Sequence, residues 1–233
     1  MGRPEPDAAH GGMTGLDAMG TAENYRRFAH WEAAGRSPDY EALAYAVAGD
    51  DAVLSFLDEL PGLKRQPNLL FASAWLLLGR PPSPSSLHEL VVSRPNELRD
   101  VMLARRTQTN EPARCAVLLP ALALLPGPLA LLEVGAAAGL TLLPDLYSYD
   151  YGGHRVAGAD AEAPTLACRP AGPVPLPSRV PEVAWRAGID LEPLDVTDDE
   201  DVSWLSCLLW PGEAGRAERL EAAVAMARKP PEM

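Results

Sequence analysis

The stretch Leu129-Ala-Leu-Leu-Glu-Val-Gly-Ala-Ala-Ala-Gly-Leu140 decides the fold that we expect for this chain. An apolar run of strand length ends at Val134, and small residues then lead from Gly135 to Gly139 before a short apolar helix pattern. Glycine adopts positive φ angles that other residues avoid, and small side chains let a ligand approach the main chain. This order of strand, glycine turn and helix is typical of α/β sheets that bind ligands at their strand ends. The alternative is a plain turn that needs small residues only for packing.

The rest of the chain shows three kinds of pattern. Residues 1–20 are rich in glycine, alanine, proline and aspartate without periodicity, so we predict a mobile tail. Residues 21–125 repeat apolar side chains at helical spacing between glycine and proline turns, which predicts a helical portion. Residues 126–229 contain strand patterns followed by two helices, which predicts an α/β portion.

The α/β portion has room for fewer strands than a complete Rossmann-like sheet. Leu129–Val134 and Val183–Leu191 are candidate interior strands. Tyr147–Gly153 alternates and ends in Gly-Gly, which predicts a hairpin with Thr165–Cys168 as a candidate partner. The 94 residues after Gly139 are largely taken up by this hairpin, one strand and two helices. We therefore expect an incomplete Rossmann-like sheet, truncated at the C-terminus, with an open apolar edge.

Composition restricts the partners and the compartment. The chain of 233 residues is 47% hydrophobic, enough for a packed core, and its net charge of −12 argues against nucleic acid and anionic membranes as partners. No signal peptide pattern follows Met1, and prolines interrupt the uncharged run before Glu133, so we expect no membrane span. The three cysteines form no C-x-x-C pair and the four histidines lack metal-ligand spacing. We therefore expect a cytoplasmic protein without a metal site.

A polar run lies just before the helix that leads into the glycine strand. In Arg105-Arg-Thr-Gln-Thr-Asn-Glu111 the candidates for contact with a substrate or partner are Arg105, Arg106, Gln108, Asn110 and Glu111. Their place before the strand predicts a position near the ligand end of the sheet. The alternative is that they end one helix, cap the next and form surface ion pairs, with Asn110 as the N-cap before Pro112.

Several motifs in order resemble a known bacterial family. They are Arg65-Gln-Pro-Asn-Leu-Leu70, Arg105-Arg-Thr-Gln-Thr-Asn-Glu111, Leu132-Glu-Val-Gly135 with Gly139-Leu140, Tyr149-Asp-Tyr-Gly-Gly153 and Asp190-Leu-Glu-Pro-Leu-Asp-Val-Thr197. Over roughly residues 21–229 they make the chain similar to the family catalogued as domain of unknown function 2332. The glycine motif is also similar to the first motif of S-adenosylmethionine-dependent methyltransferases, although Ala137 replaces the middle glycine.

The methyltransferase resemblance implies S-adenosylmethionine as the cofactor. The residues that it implies for cofactor binding are Glu133, Gly135, Ala137, Gly139 and Asp190. The amides of the turn would face the methionine carboxylate, and Asp190 would bind the ribose hydroxyls. Asp195 is a second candidate for the ribose, and for both acids the alternative is helix capping or loop solvation. A dinucleotide fingerprint would need glycines where Ala137 and Leu140 stand.

Three functions stay open on the sequence. A methyltransferase-like enzyme would act mainly by positioning a nucleophile, so no catalytic base needs to be visible, and none is identified. A non-catalytic ligand-binding or regulatory module would keep the pocket for a small molecule without the reaction. A truncated fragment would have weak or no activity, and its open sheet edge would favour self-association.

Overall fold

The computed structural model describes residues 20–229, so the predicted tail lies outside the described residues except for Gly20. The described chain forms two compact units, and the boundary between them in sequence falls between Arg106 and Thr107. The helix before the glycine strand therefore belongs to the second unit, although its pattern resembles the helical portion 21–125. Each unit is described by itself below.

The first unit is helical, as its apolar periodicity predicts. Its α-helices are α1 Thr21–Phe28, α2 Pro38–Val47, α3 Asp51–Asp58, α4 Pro67–Leu78, α5 Pro84–Ser93 and α6 Pro95–Ala104. A π-helical segment, Ala29–Ala33, continues α1, and a 3₁₀ turn, Gly62–Lys64, precedes α4. Ser37 begins α2 because its hydroxyl accepts a hydrogen bond from the backbone N–H of Tyr40.

The core of the first unit is built around α4, whose first two turns are buried. The ring of Phe71 lies 6.0 Å from that of Tyr25 and 4.9 Å from that of Tyr40, measured between centroids. Aromatic rings at these separations and angles contribute favourable contacts beyond their buried area. The all-round apolar pattern of Leu69–Leu78 therefore correctly predicts a buried central helix.

The second unit contains both helices and strands. In chain order its elements are α7 Arg114–Leu122, β1 Leu129–Val134, a 3₁₀ turn Leu140–Leu142, β2 Ser148–Asp150, β3 Arg155–Val156, β4 Thr165–Ala167, β5 Val183–Ile189, α8 Asp199–Cys207 and α9 Arg216–Ala227. The described chain is thus a mixed α/β protein. No helix in the described part of the chain is long and apolar enough to cross a membrane.

β1 and β5 pair in parallel, with Val134 opposite Ile189 at the end of the ladder. The carboxyl ends of both strands therefore lie at the same edge, and the glycine turn leaves β1 at that edge. The prediction of β1 is confirmed residue for residue, while the second strand ends two residues before Leu191. Among the described residues this sheet contains two strands.

A second, three-stranded sheet stands in the chain between β1 and β5. β2 pairs antiparallel with β3 and parallel with β4, so the strand order is β3-β2-β4. The Gly-Gly pair does start a hairpin, because Gly152 and Gly153 have φ angles of 77° and 107°. Its second strand is Arg155–Val156, however, and the predicted partner at Thr165 pairs along the other side of β2.

The helix expected after the glycine turn is one 3₁₀ turn, Leu140–Leu142. Pro144 explains the early end, since a proline disfavours helical geometry at the residue before it, here Leu143. A single 3₁₀ turn has no helix macrodipole to offer a ligand. The helix predicted after the glycine turn is therefore wrong in length and type.

Candidate functional site

The turn after β1 has the backbone that its small residues predict. Gly135, Ala137 and Gly139 have positive φ angles of 81°, 48° and 71°. Glycine adopts this region without strain, but alanine does so at a cost of roughly 1–2 kcal/mol. The N–H of Gly139 donates to the carbonyl of Ala136 at 2.7 Å and closes the turn. The alanine in the middle of the motif therefore keeps the turn at an energetic cost.

Gly188 in β5 lets this turn lie directly over the neighbouring strand. A Cβ atom at Gly188 would stand 2.6 Å from the Cβ of Ala136, closer than real side-chain contacts allow. The sequence does carry a signal for this approach, because a glycine inside a strand pattern often marks a place where another backbone comes close. Gly188 was not identified from the sequence, and only the fold shows what it accommodates.

Asp190 follows β5 and holds the turn that follows β1. Its Oδ2 accepts a hydrogen bond from the N–H of Ala137 at 2.8 Å, and its Oδ1 accepts one from the N–H of Glu192 at 3.0 Å. These backbone hydrogen bonds, from Glu192 first and Ala137 second, hold the pKa of Asp190 below its usual value. The structure thus brings Asp190 together with the glycine turn.

Gln108 supports Asp190 from the polar run. Its Nε2 donates to Oδ1 of Asp190 at 2.9 Å and to the carbonyl oxygen of Glu192 at 2.5 Å. Gln108 therefore contacts the acid that holds the turn, and its contact with a substrate or partner stays a prediction. The hydrogen bond from Gln108 fixes the orientation of the Asp190 carboxylate.

Asn110 supports the other end of the turn. Its Oδ1 accepts a hydrogen bond from the N–H of Leu140 at 2.6 Å, and its Nδ2 lies 3.4 Å from the hydroxyl of Thr141. The expectation that Asn110 caps the following helix is wrong, because α7 begins only at Arg114 and Ala113 occupies its N-cap position. Asn110 is buried and satisfies the first N–H of the 3₁₀ turn instead.

Glu133 is an acid one residue before the end of the apolar strand β1. Both of its carboxylate oxygens lie 2.6 Å from the hydroxyl of Thr141, which donates to them. Thr141 is also the neighbour of the Asn110 amide, so these three side chains form one hydrogen-bonded chain beneath the turn. Glu133 is thereby held on the inner face of the sheet beside the turn.

Glu111 is held by protein cations. Its carboxylate accepts hydrogen bonds from Nε of Arg216 at 2.8 Å and Nε of Arg219 at 2.9 Å, and from the N–H of Ala113 at 3.1 Å. Burial alone would raise the pKa of Glu111, but the hydrogen bonds from Arg219 and Ala113 and the positive charges of both arginines lower it. Glu111 thus ties the polar run to α9.

Arg105 and Arg106 end the first unit, whereas the other three candidates of the polar run begin the second. The carbonyl oxygen of Arg105 accepts a hydrogen bond from Nζ of Lys64 at 2.8 Å, which anchors the end of the first unit. A role of these two arginines in binding a substrate or partner stays a prediction.

Most of the backbone N–H groups of the turn donate hydrogen bonds within the protein. The N–H groups of Gly135 and Ala136 donate to the carbonyl of Ile189, and those of Ala137 and Leu140 donate to Asp190 and Asn110. A cradle for a phosphate or carboxylate needs free N–H groups that point at the anion. These four N–H groups therefore have partners within the protein, and the contact of the turn with a methionine carboxylate stays a prediction. The turn is instead flanked by two acids, Glu133 and Asp190.

Other chemistry has little support among the described residues. No group of three histidine, cysteine, aspartate or glutamate side chains there could hold a metal ion. Cys115 is buried with its thiol 3.4 Å from the carbonyl oxygen of Thr141, and burial raises its pKa to about 12. A thiol with this pKa is protonated at neutral pH and is a poor nucleophile.

One comparison with known proteins gives a match. The family model described as an uncharacterized protein conserved in bacteria, domain of unknown function 2332, matches residues 22–233. No curated protein and no solved structure matches the chain. The match covers nearly all of the chain and agrees with the motifs recognised in the sequence.

Proposed function

Since the chain belongs to the family of domain of unknown function 2332, we propose that its glycine turn binds S-adenosylmethionine or a closely related adenosine-type ligand. The observation that carries the proposal is the hydrogen bond between Asp190 and Ala137. It joins the acid after one parallel strand to the glycine turn after its neighbour. In Rossmann-like sheets this pair of positions binds an adenosine ribose and the chain attached to it.

The proposed roles of the residues follow from their positions. Gly135 is exposed at the mouth of the turn, so its main chain is open to a ligand without a side chain in the way. Oδ2 of Asp190 accepts one hydrogen bond from the protein and retains a lone pair for a ribose hydroxyl. Ala137 and Gly139 shape the turn, and Glu133 stands beneath it. In this proposal β1 and β5 are the central pair of a Rossmann-like sheet.

The chemistry of the turn favours ligands with donor groups over phosphates. The N–H groups of Gly135, Ala136, Ala137 and Gly139 donate to groups of the protein, and the turn is flanked by the carboxylates of Glu133 and Asp190. A nucleotide phosphate would meet these carboxylates without the compensating N–H groups of a phosphate loop. S-adenosylmethionine carries a ribose diol, an ammonium group and a positively charged sulfonium, and these groups suit acceptors and negative charge. In this proposal its carboxylate is bound away from the two acids, outside the turn.

Two functions remain for a site of this kind. A methyltransferase would hold the sulfonium methyl group against the nucleophile of an acceptor substrate, which is catalysis by orientation. A binding or regulatory module would hold the same ligand without an acceptor. The hydrogen bonds around the turn support the binding role, and no side chain among residues 107–229 has an arrangement that identifies it as a catalytic acid or base.

Thermal unfolding in the presence of S-adenosylmethionine or S-adenosylhomocysteine tests the proposal. A ligand that binds only the folded protein stabilises it by about 2.7 kcal/mol when its concentration is 100 times the Kd. We expect an increase in melting temperature that saturates with ligand, and no increase with ATP. No shift with either adenosyl ligand would overturn the proposal. Transfer of a labelled methyl group to acceptors would then separate the enzyme from the binding module.

A further inference from the structure

The two acids at the turn are held by uncharged side chains. Gln108 fixes Asp190 with its amide, and Thr141 fixes Glu133 with its hydroxyl. Neither acid forms an ion pair with a basic side chain in the described part of the chain. Both carboxylates are therefore oriented by hydrogen bonds while their negative charges stay uncompensated.

The arginine on the same face of β5 does not cancel these charges. Arg186 makes two hydrogen bonds to the carboxylate of Asp145, at 2.9 and 2.8 Å, and a third to the carbonyl oxygen of Leu142. Such a two-pronged pair directs the guanidinium towards its own partner. The segment after Asp190 carries a further acid at Asp195, whose carboxylate accepts hydrogen bonds from the N–H and hydroxyl of Thr197.

We propose that Gln108 is a positioning residue that makes this site selective for a positively charged ligand. A lysine or arginine at this position would hold Asp190 equally well but would cancel its charge. The neutral amide holds the carboxylate and leaves the charge for the ligand. This inference rests on the proposed function, because it assumes that the glycine turn is a ligand site.

Two ligands that differ mainly in charge test the inference. S-adenosylmethionine has a cationic sulfonium, and S-adenosylhomocysteine has a neutral thioether with the same adenosine and amino acid groups. We expect the wild-type protein to bind the cationic ligand at least fivefold more tightly. Because exposed charges are screened by salt, this preference should decrease as the salt concentration rises.

Two substitutions at Gln108 distinguish the effect of its hydrogen bond, which positions Asp190, from the effect of its lack of charge. Gln108→Lys keeps an N–H donor near Asp190 but adds a positive charge, so the preference for the cationic ligand should disappear. Gln108→Ala removes the donor without adding charge, so both ligands should bind more weakly while their ratio is kept. Ser178→Lys is the matched control, since it adds the same charge at an exposed position before β5 begins, at the other end of that strand.

The outcomes distinguish this inference from the proposed function. Equal binding of both ligands by the wild-type protein would overturn the inference and leave the proposed function standing. An unchanged preference in the Gln108→Lys variant would overturn it as well. Binding of neither ligand would overturn the proposed function and the inference together. A loss of preference in Ser178→Lys equal to that in Gln108→Lys would show a general charge effect and contradict a specific role of Gln108.

Discussion

Asp190 and Ala137 are 53 residues apart in the chain, yet the carboxylate of the first accepts the backbone N–H of the second at 2.8 Å. The bond connects the loop after β5 to the turn after β1, and Leu194 reinforces it by donating its N–H to the carbonyl of Ala137 at 3.1 Å. An alanine at a positive φ angle persists only when the surrounding structure holds it. Each of the two loops therefore holds the other in its conformation. A ligand bound at one of them would contact both.

The exposed glycine at the start of the turn gives the first prediction. Gly135→Val forces a branched side chain into a positive φ angle and fills the mouth of the proposed site. We expect loss of the ligand-induced shift in melting temperature. Gly172→Val is the matched control, because Gly172 has a similar φ angle of 85° and also has open space around it. Comparable loss of binding in both variants would contradict a site at Gly135.

Gly188 gives the second prediction, on the approach of the turn to β5. Gly188→Ala places a methyl group 2.6 Å from Ala136, so the turn must shift. Overpacking of this kind typically costs about 1–3 kcal/mol, and the shift should weaken ligand binding more than tenfold by moving Ala137 from Asp190. Gly49→Ala is the control, since its added methyl group meets atoms only at 3.8 Å and beyond. Chemical denaturation and ligand titration check both effects, and a Gly188→Ala variant with native affinity would refute this account.

Glu111 gives a third prediction, on stability and its dependence on pH. The carboxylate holds Arg216 and Arg219 in a largely buried cluster, so Glu111→Gln should lower the free energy of unfolding by about 2 kcal/mol. The folded state lowers the pKa of Glu111 below its unfolded value of about 4.3, so its contribution is complete above that pH. The contribution is lost as the pH falls through the lower, folded-state pKa.

Denaturant unfolding of wild type and Glu111→Gln at neutral and acidic pH measures this contribution. The difference between the two proteins should be largest at neutral pH and should shrink below about pH 4. Glu162→Gln is the control, because its ion pair with Lys229 is mostly exposed and should contribute less than about 1 kcal/mol. If Glu111→Gln instead kept its stability and lost ligand affinity, Glu111 would be a binding residue.

Local patterns in the sequence were sufficient to predict the elements that carry the site. β1 was predicted correctly because an apolar run between Pro128 and Gly135 has both of its ends marked in the sequence. The partners of the polar run could not be predicted in the same way. Asn110 has the local sequence of a helix cap, yet it binds the N–H of Leu140, 30 residues further along the chain. A side chain such as that of Asn110 can cap the N-terminus of more than one helix or helical turn. Which of them it caps is decided by the fold, because the fold determines which N-terminus lies close to it.

The outer face of the β1–β5 pair gives the last prediction. Residues that are paired in a parallel ladder share a face, and the outward residues of these strands are Ala130, Leu132, Val134, Trp185, Ala187 and Ile189. Val134 is 80% exposed and Leu132 is 59% exposed. With Trp185 and Ile189 the exposed apolar surface is on the order of 400 Å², which is within the range of the largest apolar patch on a typical monomer and about half of one partner's share in a standard interface.

We expect a second copy of this chain to cover that face, through self-association of the isolated protein. The net charge of −12 opposes contact between two copies in general, but the outward residues are all uncharged, so two identical faces can pack without like charges meeting. Light scattering during gel filtration should show a dimer or larger species. Leu132→Lys should shift it towards monomer, because a lysine there would face its own copy in the interface. Leu63→Lys, at an equally exposed apolar residue of the first unit, should leave the oligomeric state unchanged. A wild-type protein that stays monomeric as its concentration is raised would contradict this prediction.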